Sequence, residues 1–514
     1  MIHRIFLYFT VLFICSSAFS QTLPSVEWQK CFGGSQADLG FSIQQTNDGG
    51  YIVGGVTQSN DGDVSGHIGY TDCLVLKLDS KGIITWQKTF GSLYDDQLKC
   101  IQQTRDGGYI FAGFSNVLSG SSNNSLYDFY VVKLNGLGNV IWEKLLGGSN
   151  SDLAYSIQQT YDGGYIVAGE SSSVNGNVTG GHGASDMWIV KLSETGNLMW
   201  QKSIGGSQRD VAWCIKQTKD GGYIISGTSS SINGDVIGGW PYPISWFVKL
   251  DATGTITWQK QYGSRSLSQE DGLSISQTTD GGYISTGYCV KNSGDVTGNH
   301  GNTDVWLLKL DNLGNLTWQK SLGGSKRDFG ACVNETYDGG FIISGSTFSN
   351  DGDAAGNSLT TESLWLIKTS SLGNLEWQKS FGILNYGAVG YSAQQTRDGG
   401  FIVVGLNGIN GVCHGGFDIG VIKLKGNLAN TAISHFLFPN PTVDQLTVSF
   451  LSNMGGIKSV LVFDQIGRKV FSKNVLVQIG INSIKLNTSH LASGGYFLSI
   501  AGTNYLGKFI KITN

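Results

Sequence analysis

Residues 41–90 read FSIQQTNDGG YIVGGVTQSN DGDVSGHIGY TDCLVLKLDS KGIITWQKTF, and this stretch decides the fold. Four short runs rich in β-branched and aromatic residues alternate with turn residues, which predicts four antiparallel strands. The predicted strands are Phe41–Thr46, Tyr51–Thr57, Cys73–Leu78 and Ile83–Phe90. The D-G-G and D-x-x-G sequences between them are typical of tight turns, because Asp hydrogen-bonds nearby backbone and Gly adopts positive φ freely.

The same unit recurs seven times with a period of about 58 residues. A W-[QE]-K triplet in the fourth strand begins at Trp28, Trp86, Trp142, Trp200, Trp258, Trp318 and Trp377. A D-G-G-[YF] turn begins at Asp48, Asp106, Asp162, Asp220, Asp280, Asp338 and Asp398. A K-[LT] pair in the third strand begins at Lys77, Lys133, Lys191, Lys249, Lys309, Lys368 and Lys423. Four antiparallel strands per unit favour the blades of a β-propeller over a helical solenoid.

The two ends of the array predict that it closes into a ring. The seventh unit supplies three strands, through Val421–Leu424, and no W-Q-K triplet follows it. A spare strand of the missing type, Val26–Lys30, lies near the N-terminus. Pairing these two ends removes two free sheet edges. The predicted fold is all-β: a seven-bladed β-propeller of four-stranded blades over residues 21–428, closed by the N-terminal strand.

The composition limits the class of protein. The chain has 514 residues with 75 Gly and 5 Pro, and aromatic residues make up 11%. The aromatic content excludes a disordered chain, and the scarcity of Pro excludes collagen. The formal net charge of -4, without a basic stripe, predicts no nucleic-acid partner.

Residues 1–20, MIHRIFLYFTVLFICSSAFS, have the organisation of a secretory signal peptide. A basic start precedes an apolar run and then small residues, which predicts cleavage between Ser20 and Gln21. The alternative is a membrane anchor, but the apolar run is shorter than the ~20 residues of a spanning helix. No later segment is long and apolar enough, so we expect no transmembrane segment in the mature chain.

After residue 428 the repeat stops, and alternating strands separated by Gly and Asn turns predict a small Ig-like β-sandwich. We place a linker at 429–435 and the sandwich at 436–514. This segment closely resembles the type A C-terminal sorting domain of the Bacteroidota type IX secretion system. The matching residues are Pro439, Asn440, Pro441, Asp464, Gly467, Arg468, Leu491, Gly494 or Gly495, and Tyr496. The resemblance implies recognition by the type IX machinery, with export to the medium or attachment to the outer cell surface. The alternative is an appended sandwich used for adhesion.

The K-L-D-x-x-G-x-[IL]-x-W pattern, at Lys77 to Trp86 and Lys309 to Trp318, resembles the tryptophan-docking motif of quinoprotein-like seven-bladed β-propellers. The resemblance implies that each indole packs where two blades meet. It does not imply a quinone cofactor, because the sequence has neither adjacent paired cysteines nor the other residues of such a pocket. We expect no cofactor, apart from the calcium ion considered next.

The loops from second to third strand, with the blade-to-blade loops, are long and variable. Because ligand sites favour variable loops on a rigid scaffold, this long-loop face is the predicted surface for a glycan or protein ligand. Its G-[DN] sequences are followed nine residues later by Asp in three units. Candidate Ca²⁺ ligands are therefore Asp63, Asp72, Asn177, Asp186, Asp295 and Asp304. The alternative is that these side chains fix turns.

A second recurrence on this face is G-G-S-x-x-D, at Asp38, Asp152, Asp210 and Asp328, with looser versions at Asp96 and Asp271. These carboxylates either accept backbone N–H groups of the loop or form an acidic ring that draws a cation to the channel mouth. The histidines of the same loops are His67, His182 and His300. We read their spacings as not equivalent, which argues against a shared metal role.

No nucleophile elbow, zinc-protease helix or phosphate-binding loop occurs in the sequence, so we assign no catalytic residue. The predicted function is a secreted or cell-surface propeller that binds a ligand or has a structural role. The alternative is a hydrolase or accessory glycan-binding protein acting on extracellular polysaccharide. Its catalytic pair would lie among unique acids such as Glu170, Glu270 or Glu362, and nothing in the sequence singles them out.

Seven cysteines remain once Cys15 leaves with the signal peptide. Cys100, Cys214 and Cys332 occupy one repeat position, where Ser stands in the other units. They fall in alternate blades, further apart than the ~7 Å between Cα atoms that a disulfide allows. We therefore predict that these three are free thiols and that the fold does not rely on disulfides.

Overall fold

The computed structural model describes residues 23–116, 126–264, 272–357, 361–382, 387–406, 413–415, 417–426, 436–438, 442, 444–452, 456–477, 480–501 and 506–511. Within these ranges the chain forms six complete four-stranded sheets, a seventh closed by the N-terminal strand, and a separate pair of sheets. The predicted signal peptide with Ser20 and Gln21, and the linker at 429–435, lie outside the described residues. None of the described residues forms a helix long and apolar enough to cross a membrane.

Each blade is a four-stranded antiparallel sheet, and in blades 1 to 6 the strands follow in chain order. Blades 1 to 3 are Asp38–Gln45, Tyr51–Thr57, Asp72–Leu78, Ile84–Phe90; Asp96–Gln103, Tyr109–Asn116, Tyr127–Leu134, Val140–Leu146; and Asp152–Gln159, Tyr165–Ser171, Asp186–Leu192, Leu198–Ile204. Blades 4 to 6 are Asp210–Gln217, Tyr223–Ser229, Ile244–Leu250, Ile256–Tyr262; Gly272–Gln277, Tyr283–Cys289, Asp304–Leu310, Leu316–Leu322; and Asp328–Glu335, Phe341–Thr347, Ser363–Thr369, Leu375–Phe381. A short 3-10 helix, Gly352–Ala354, lies in blade 6. Blade 7 is Gly390–Gln395, Phe401–Leu406, Ile419–Leu424 and the N-terminal Val26–Phe32.

The N-terminal strand closes the ring as predicted. Val26–Phe32 pairs antiparallel with Ile419–Leu424 and supplies the missing fourth strand of blade 7. A disulfide between Cys31 and Cys413, with Cα atoms 5.5 Å apart, joins this strand to the same blade. The expectation of a fold without disulfides is therefore wrong. Strand closure makes the bond possible, because it pairs Cys31 with Gly420 and so brings it near Cys413, which precedes the third strand of blade 7.

The D-G-G turn and the third-strand lysine form one unit in every blade. In blade 1 the Lys77 ammonium lies 2.9 Å from an Asp48 oxygen, and the Gly50 N–H donates to the same carboxylate at 3.0 Å. The lysine is buried while the carboxylate stays exposed. The equivalent pairs are Lys133–Asp106, Lys191–Asp162, Lys249–Asp220, Lys309–Asp280, Lys368–Asp338 and Lys423–Asp398. Two of the repeat markers are thus the two halves of one ion pair.

The repeated tryptophans pack between blades, as the tryptophan-docking resemblance implied. Trp28 of blade 7 lies against the third-to-fourth turn of blade 1, where Gly82 has φ +74°. A Cβ on Gly82 would lie 2.8 Å from the indole ring. The indole N–H of Trp28 also donates to the Ser80 carbonyl at 3.3 Å. Only glycine satisfies both the turn and the close contact, which explains the D-x-x-G sequence.

The C-terminal unit is a two-sheet sandwich, as predicted. One sheet contains Phe436–Phe438, Gln445–Ser452 and Gly480–Asn487 in that order, and the other contains Lys469–Val477, Gly456–Phe463, Gly494–Ile500 and Leu506–Lys511. Buried residues of both sheets form a common core that includes Val448, Phe450, Val460, Leu498 and Phe509.

Candidate functional site: the axial channel

The first strand of every blade contains a β-bulge at the same place. In blade 1 the register shifts between Gly40 and Ser42, so Phe41 is the extra residue. The other six first strands shift at the equivalent position. A bulge re-aims its side chain and is often found beside functional sites. Here it turns one residue per blade toward the axis of the ring.

The bulged residues line a cavity of about 310 Å³. In blade order they are Phe41, Lys99, Tyr155, Trp213, Leu273, Ala331 and Tyr391. The residues three positions later form a second set, with Gln44, Gln102, Gln158, Lys216, Asn334 and Gln394 also lining the cavity. The volume falls at the lower end of the range of small-molecule sites, ~300–1,000 Å³.

Two aromatic pairs form walls of this cavity. Phe41 and Tyr391, from blades 1 and 7, meet edge to face with centroids 5.1 Å apart. Tyr155 and Trp213, from blades 3 and 4, lie 4.6 Å apart. In a seven-bladed ring these two junctions are nearly opposite each other across the axis.

Polar contacts fix the second aromatic wall. The Tyr155 hydroxyl donates to Glu170 at 2.9 Å, and the Trp213 indole N–H donates to Thr228 at 3.0 Å. The rings are therefore held in place without a ligand.

Two lysines bring positive charge into the channel. The Lys99 ammonium lies 4.1 Å from the centroid of the Phe41 ring, and burial lowers the pKa of Lys99 to about 8. Within the described part of the chain, Lys216 has no hydrogen bond and no ion pair to a carboxylate. No Asp or Glu is among the described residues that line the cavity. The channel is therefore cationic in a chain whose net charge is negative.

The Ser/Cys position beside each bulge joins neighbouring blades. Ser42 Oγ donates to the Ile101 carbonyl at 3.3 Å, and Cys100 Sγ donates to the Ile157 carbonyl at 3.6 Å. Cys214 and Cys332 make the same contact with the next blade, each at 3.7 Å. Both residue types can donate this bond, which explains why they exchange. Cys100, Cys214 and Cys332 are free thiols, so that prediction is confirmed.

The acids of the G-G-S-x-x-D motif lie buried at blade junctions. Asp38 accepts the Gly34 N–H and the Ser59 hydroxyl at 2.8 Å each, and also bonds Thr57. Asp152, Asp210 and Asp328 accept the N–H of the equivalent glycine at 2.8–2.9 Å. These four side chains are fully buried, so they do not form a charged ring at the channel mouth. Asp271 lies outside the described residues.

A second acid faces each of these carboxylates across a glycine. Around Gly33, Asp38 of blade 1 meets Asp418 of blade 7. The other facing pairs are Asp96–Asp72, Asp152–Asp128, Asp210–Asp186 and Asp328–Asp304. In each pair the Oδ1 atom of the third-strand acid is buried without a hydrogen-bond partner in the described structure. Burial raises the pKa of Asp418, and the charge of Asp38 raises it further.

The structure does not bring the proposed calcium ligands together in the predicted pairs. Asp63 and Asp295 accept the N–H groups of Gly33 and Gly263, at 3.4 and 3.2 Å, and Asn177 bonds Gly147. Asp72, Asp186 and Asp304 instead accept an N–H group four residues earlier in the chain, at 2.6–2.9 Å. The two sets therefore serve different blade junctions, and both make the backbone contacts of the turn-fixing interpretation. Calcium binding stays a prediction.

Two of the three histidines are equivalent, which corrects the interpretation of their spacing. His182 and His300 each precede a buried Asp by four residues, with Nδ1 3.1 Å from Asp186 and 2.7 Å from Asp304. His414 has the same position relative to Asp418, and its backbone N–H donates there at 2.7 Å. The Cys31, Cys413 and Asp418 ligand atoms also cluster, but the two sulfurs form the disulfide and are not thiolate ligands.

The acids proposed for a hidden catalytic pair have structural contacts. Arg209 holds Glu170 through two bonds of 2.8 and 2.6 Å, and Ser346 donates to Glu362 at 2.7 Å. Glu270 lies outside the described residues. The described acids therefore do not form a pair that faces the channel.

Two of the sorting-domain motifs lie within the described residues. Asp464 accepts the backbone N–H of Arg468 at 2.9 Å and its side chain at 3.0 Å, around the positive-φ Gly467. The Tyr496 hydroxyl donates to the Ala492 carbonyl at 2.8 Å, beside Gly495. Pro439, Asn440 and Pro441 lie outside the described residues.

The family comparison decides the destination of the protein. Residues 436–512 match the family described as the secretion system C-terminal sorting domain. The protein is therefore exported cargo. This match confirms the resemblance to type IX sorting domains, so the protein uses that machinery and is secreted or attached to the cell surface.

Comparison with other proteins adds nothing on the ligand. No curated protein matches the chain significantly. A polysaccharide lyase of family PL25, an ulvan lyase, is 11% identical, covers 76% of this chain and 95% of its own, and has a TM-score of 0.43. The Pan2 WD40 domain of Neurospora crassa is 12% identical, covers 77% of this chain and 90% of its own, and has a TM-score of 0.41. A glycoside hydrolase family 43 arabinoxylan arabinofuranohydrolase of Bacillus subtilis is 12% identical, covers 93% of this chain and 94% of its own, and has a TM-score of 0.30.

From the facing acid pairs at the blade junctions, we expect the propeller to be more stable at pH 5 than at pH 8. Burial, and secondarily the charge of Asp152, raise the pKa of Asp128 to about 6 from 3.8. Protonation of Asp128 therefore stabilises the fold, and this contribution is lost as the pH rises through about 6. We expect a difference of about 1–2 kcal/mol for this half-buried group.

Below pH 4 the turn acids act in the opposite direction. Burial acts to raise the pKa of Asp106, but the Lys133 ammonium and local hydrogen bonds hold it at about 2. Stability should therefore fall again in strong acid. The measurement is Tm from pH 3 to 8 for the mature protein and for Asp128→Asn, which cannot titrate at this site. Equal pH profiles for the two proteins would contradict the assignment.

Proposed function

We propose that the protein is a non-catalytic binding propeller whose ligand occupies the axial channel. One observation carries this proposal: the bulge position differs in nearly every blade, while the residue that follows it is always Ser or Cys. The adjacent Ser/Cys position is constant because it joins the blades. The bulge position holds Phe, Lys, Tyr, Trp, Leu, Ala and Tyr in turn.

The fold does not require this variation, because a leucine or an alanine serves at the same position in blades 5 and 6. The large aromatic side chains in blades 1, 3, 4 and 7 therefore suit recognition better than packing. A rigid scaffold that presents varied side chains to a cavity is typical of binding sites. The long-loop face stays a predicted second surface for a partner.

Trp213→Ala tests the proposal. Alanine is the residue that blade 6 has at this position, so we expect the variant to fold, with a Tm lowered by the loss of the Tyr155 contact and the Thr228 hydrogen bond. The mature chain is first screened against immobilised glycans and proteins, and with hydrolase substrates. We then expect Trp213→Ala to weaken binding of the identified ligand at least about tenfold, the loss of one stacked aromatic contact.

Tyr161→Ala is the matched control, because Tyr161 is an exposed aromatic on a D-G-G turn. Its affinity should equal that of the unmodified protein. Normal binding by Trp213→Ala would place the ligand elsewhere. Turnover of a polysaccharide substrate would favour the alternative enzymatic function instead.

A further inference from the structure

We infer that the channel ligand is an acidic sugar, one that carries a carboxylate or a sulfate on its ring. This inference rests on the proposed binding function of the channel. It adds the chemical class of the ligand, which the shape of the cavity alone does not give.

The first argument is charge. Lys99 and Lys216 both line the cavity, and no described carboxylate lines it with them. The acids of the D-G-G turns pair with the third-strand lysines, and the acids of the blade junctions face one another away from the channel. Holding ammonium groups in a half-buried channel without a carboxylate partner costs free energy, which an anionic ligand would offset.

The second argument is the supply of hydrogen-bond donors. The side-chain oxygens of Gln44 and Gln158 accept the backbone N–H of Gln103 and Gln217 from the next blade, each at 2.6 Å. These contacts orient the amides and leave the Nε2 groups as donors. Together with the two ammonium groups they match a ligand rich in oxygen acceptors, such as hydroxyls and an acid group.

The third argument is the pair of aromatic walls. Phe41 and Tyr391 face Tyr155 and Trp213 across the axis, and their rings are partly exposed to the cavity. A sugar ring has apolar C–H faces that pack on aromatic rings and hydroxyl edges that bond amides. A simple inorganic anion would use the lysines and leave these walls without a role.

The test uses calorimetry on the mature chain with matched disaccharides. The probes contain glucuronate, galacturonate or mannuronate, the corresponding neutral hexose, or the 6-sulfated hexose. We expect at least one acidic probe to bind tenfold or more tightly than its neutral counterpart. Comparing the affinities of the uronate-containing and the sulfated disaccharides shows which acid group the channel prefers. Inorganic sulfate is tested alone.

Lys216→Gln is the decisive variant. Glutamine stands at the equivalent position in blades 1, 2, 3 and 7, so the fold accepts it. We expect this variant to lose at least tenfold in affinity for the acidic probe and to retain its weak binding of the neutral one. Lys81→Gln, on an exposed turn, removes the same charge elsewhere and should bind normally.

Proton uptake provides a second readout. An anion beside Lys99 should raise the pKa of that group from about 8, so binding at pH 8 should take up part of a proton. Calorimetry in two buffers of different ionisation enthalpy measures this uptake. Lys99→Leu, with the residue found in blade 5, should abolish it.

Three outcomes would overturn the inference: equal binding of acidic and neutral sugars, no binding of any acidic probe, or equal binding of inorganic sulfate. If a neutral ligand is bound and Trp213→Ala releases it, the acidic-sugar inference fails while the binding function stands. If Trp213→Ala changes no binding found in the wide screen, the proposed function fails as well.

Discussion

Deletion of residues 21–31 is expected to unfold blade 7 and to destabilise the whole propeller. The deletion removes the strand that pairs with Ile419–Leu424, the Trp28 contact with blade 1, and one half of the disulfide. Loss of the partly buried Trp28 costs less than the ~3–5 kcal/mol of a fully buried tryptophan, and loss of a native disulfide costs about 2–5 kcal/mol, besides the backbone hydrogen bonds of the lost strand. Together they approach the total stability of a typical domain, ~5–15 kcal/mol.

The measurement is thermal unfolding together with hydrogen exchange of blade 7. The Cys31→Ser, Cys413→Ser double variant serves as the control, because it keeps the strand and removes only the crosslink. We expect the Tm of this double variant to lie between that of the deletion variant and that of the unmodified protein. A deletion variant with an unchanged Tm and a protected Ile419–Leu424 strand would show that the N-terminal strand is not the closing element.

Removal of residues 436–514 is expected to leave a folded propeller in the periplasm. The sorting domain matches within this segment, and the propeller strands end before it, at Leu424. Its core of Val448, Leu498 and other residues belongs to its own two sheets. We therefore expect the signal in the medium and on the cell surface to fall to background while the Tm of the propeller is unchanged.

Cell fractionation and protease treatment of intact cells measure this directly. Tyr496→Ala is the milder control, because it removes the hydrogen bond to Ala492 and the stacking on Phe509 while it leaves the chain at full length. It should reduce export partially. Normal surface levels of the truncated protein would refute the role of the domain.

The sequence predicted the architecture because each repeat marker reports a local contact. The aspartate of the D-G-G turn and the third-strand lysine form an ion pair, and the glycine of the D-x-x-G turn contacts the tryptophan of the preceding blade. Such contacts recur with the period of the chain. They are therefore visible without a structure.

The channel residues were not predicted because they vary between repeats, whereas the repeat markers are recognised by recurring. Phe41, Lys99 and Trp213 occupy a position whose identity changes from blade to blade, next to a constant Ser or Cys. That contrast was available in the sequence, but only the bulge shows that the position faces the axis.

The disulfide was also within reach of the sequence. Once Val26–Lys30 is assigned to blade 7, Cys31 must lie beside that blade, and Cys413 is the cysteine that precedes its third strand. The odd number of cysteines drew attention to the repeat position instead. The unpartnered Oδ1 atoms of the junction acids could not be predicted from the sequence, because each results from the approach of two strands from different blades.

The crosslink between Cys31 and Cys413 also decides how the molecule responds to pulling. The two cysteines are 382 positions apart in the sequence, so the bond closes nearly the entire ring into one covalent loop. Tension applied between the N-terminal segment and the C-terminal domain passes through the sulfur atoms and bypasses the first six blades. Only the chain before Cys31 and the chain after Cys413 can lengthen, and these include most of Val26–Phe32 and all of Ile419–Leu424. Under shear in the surroundings of the cell, blades 1 to 6 should stay folded until that bond is reduced, even where blade 7 opens.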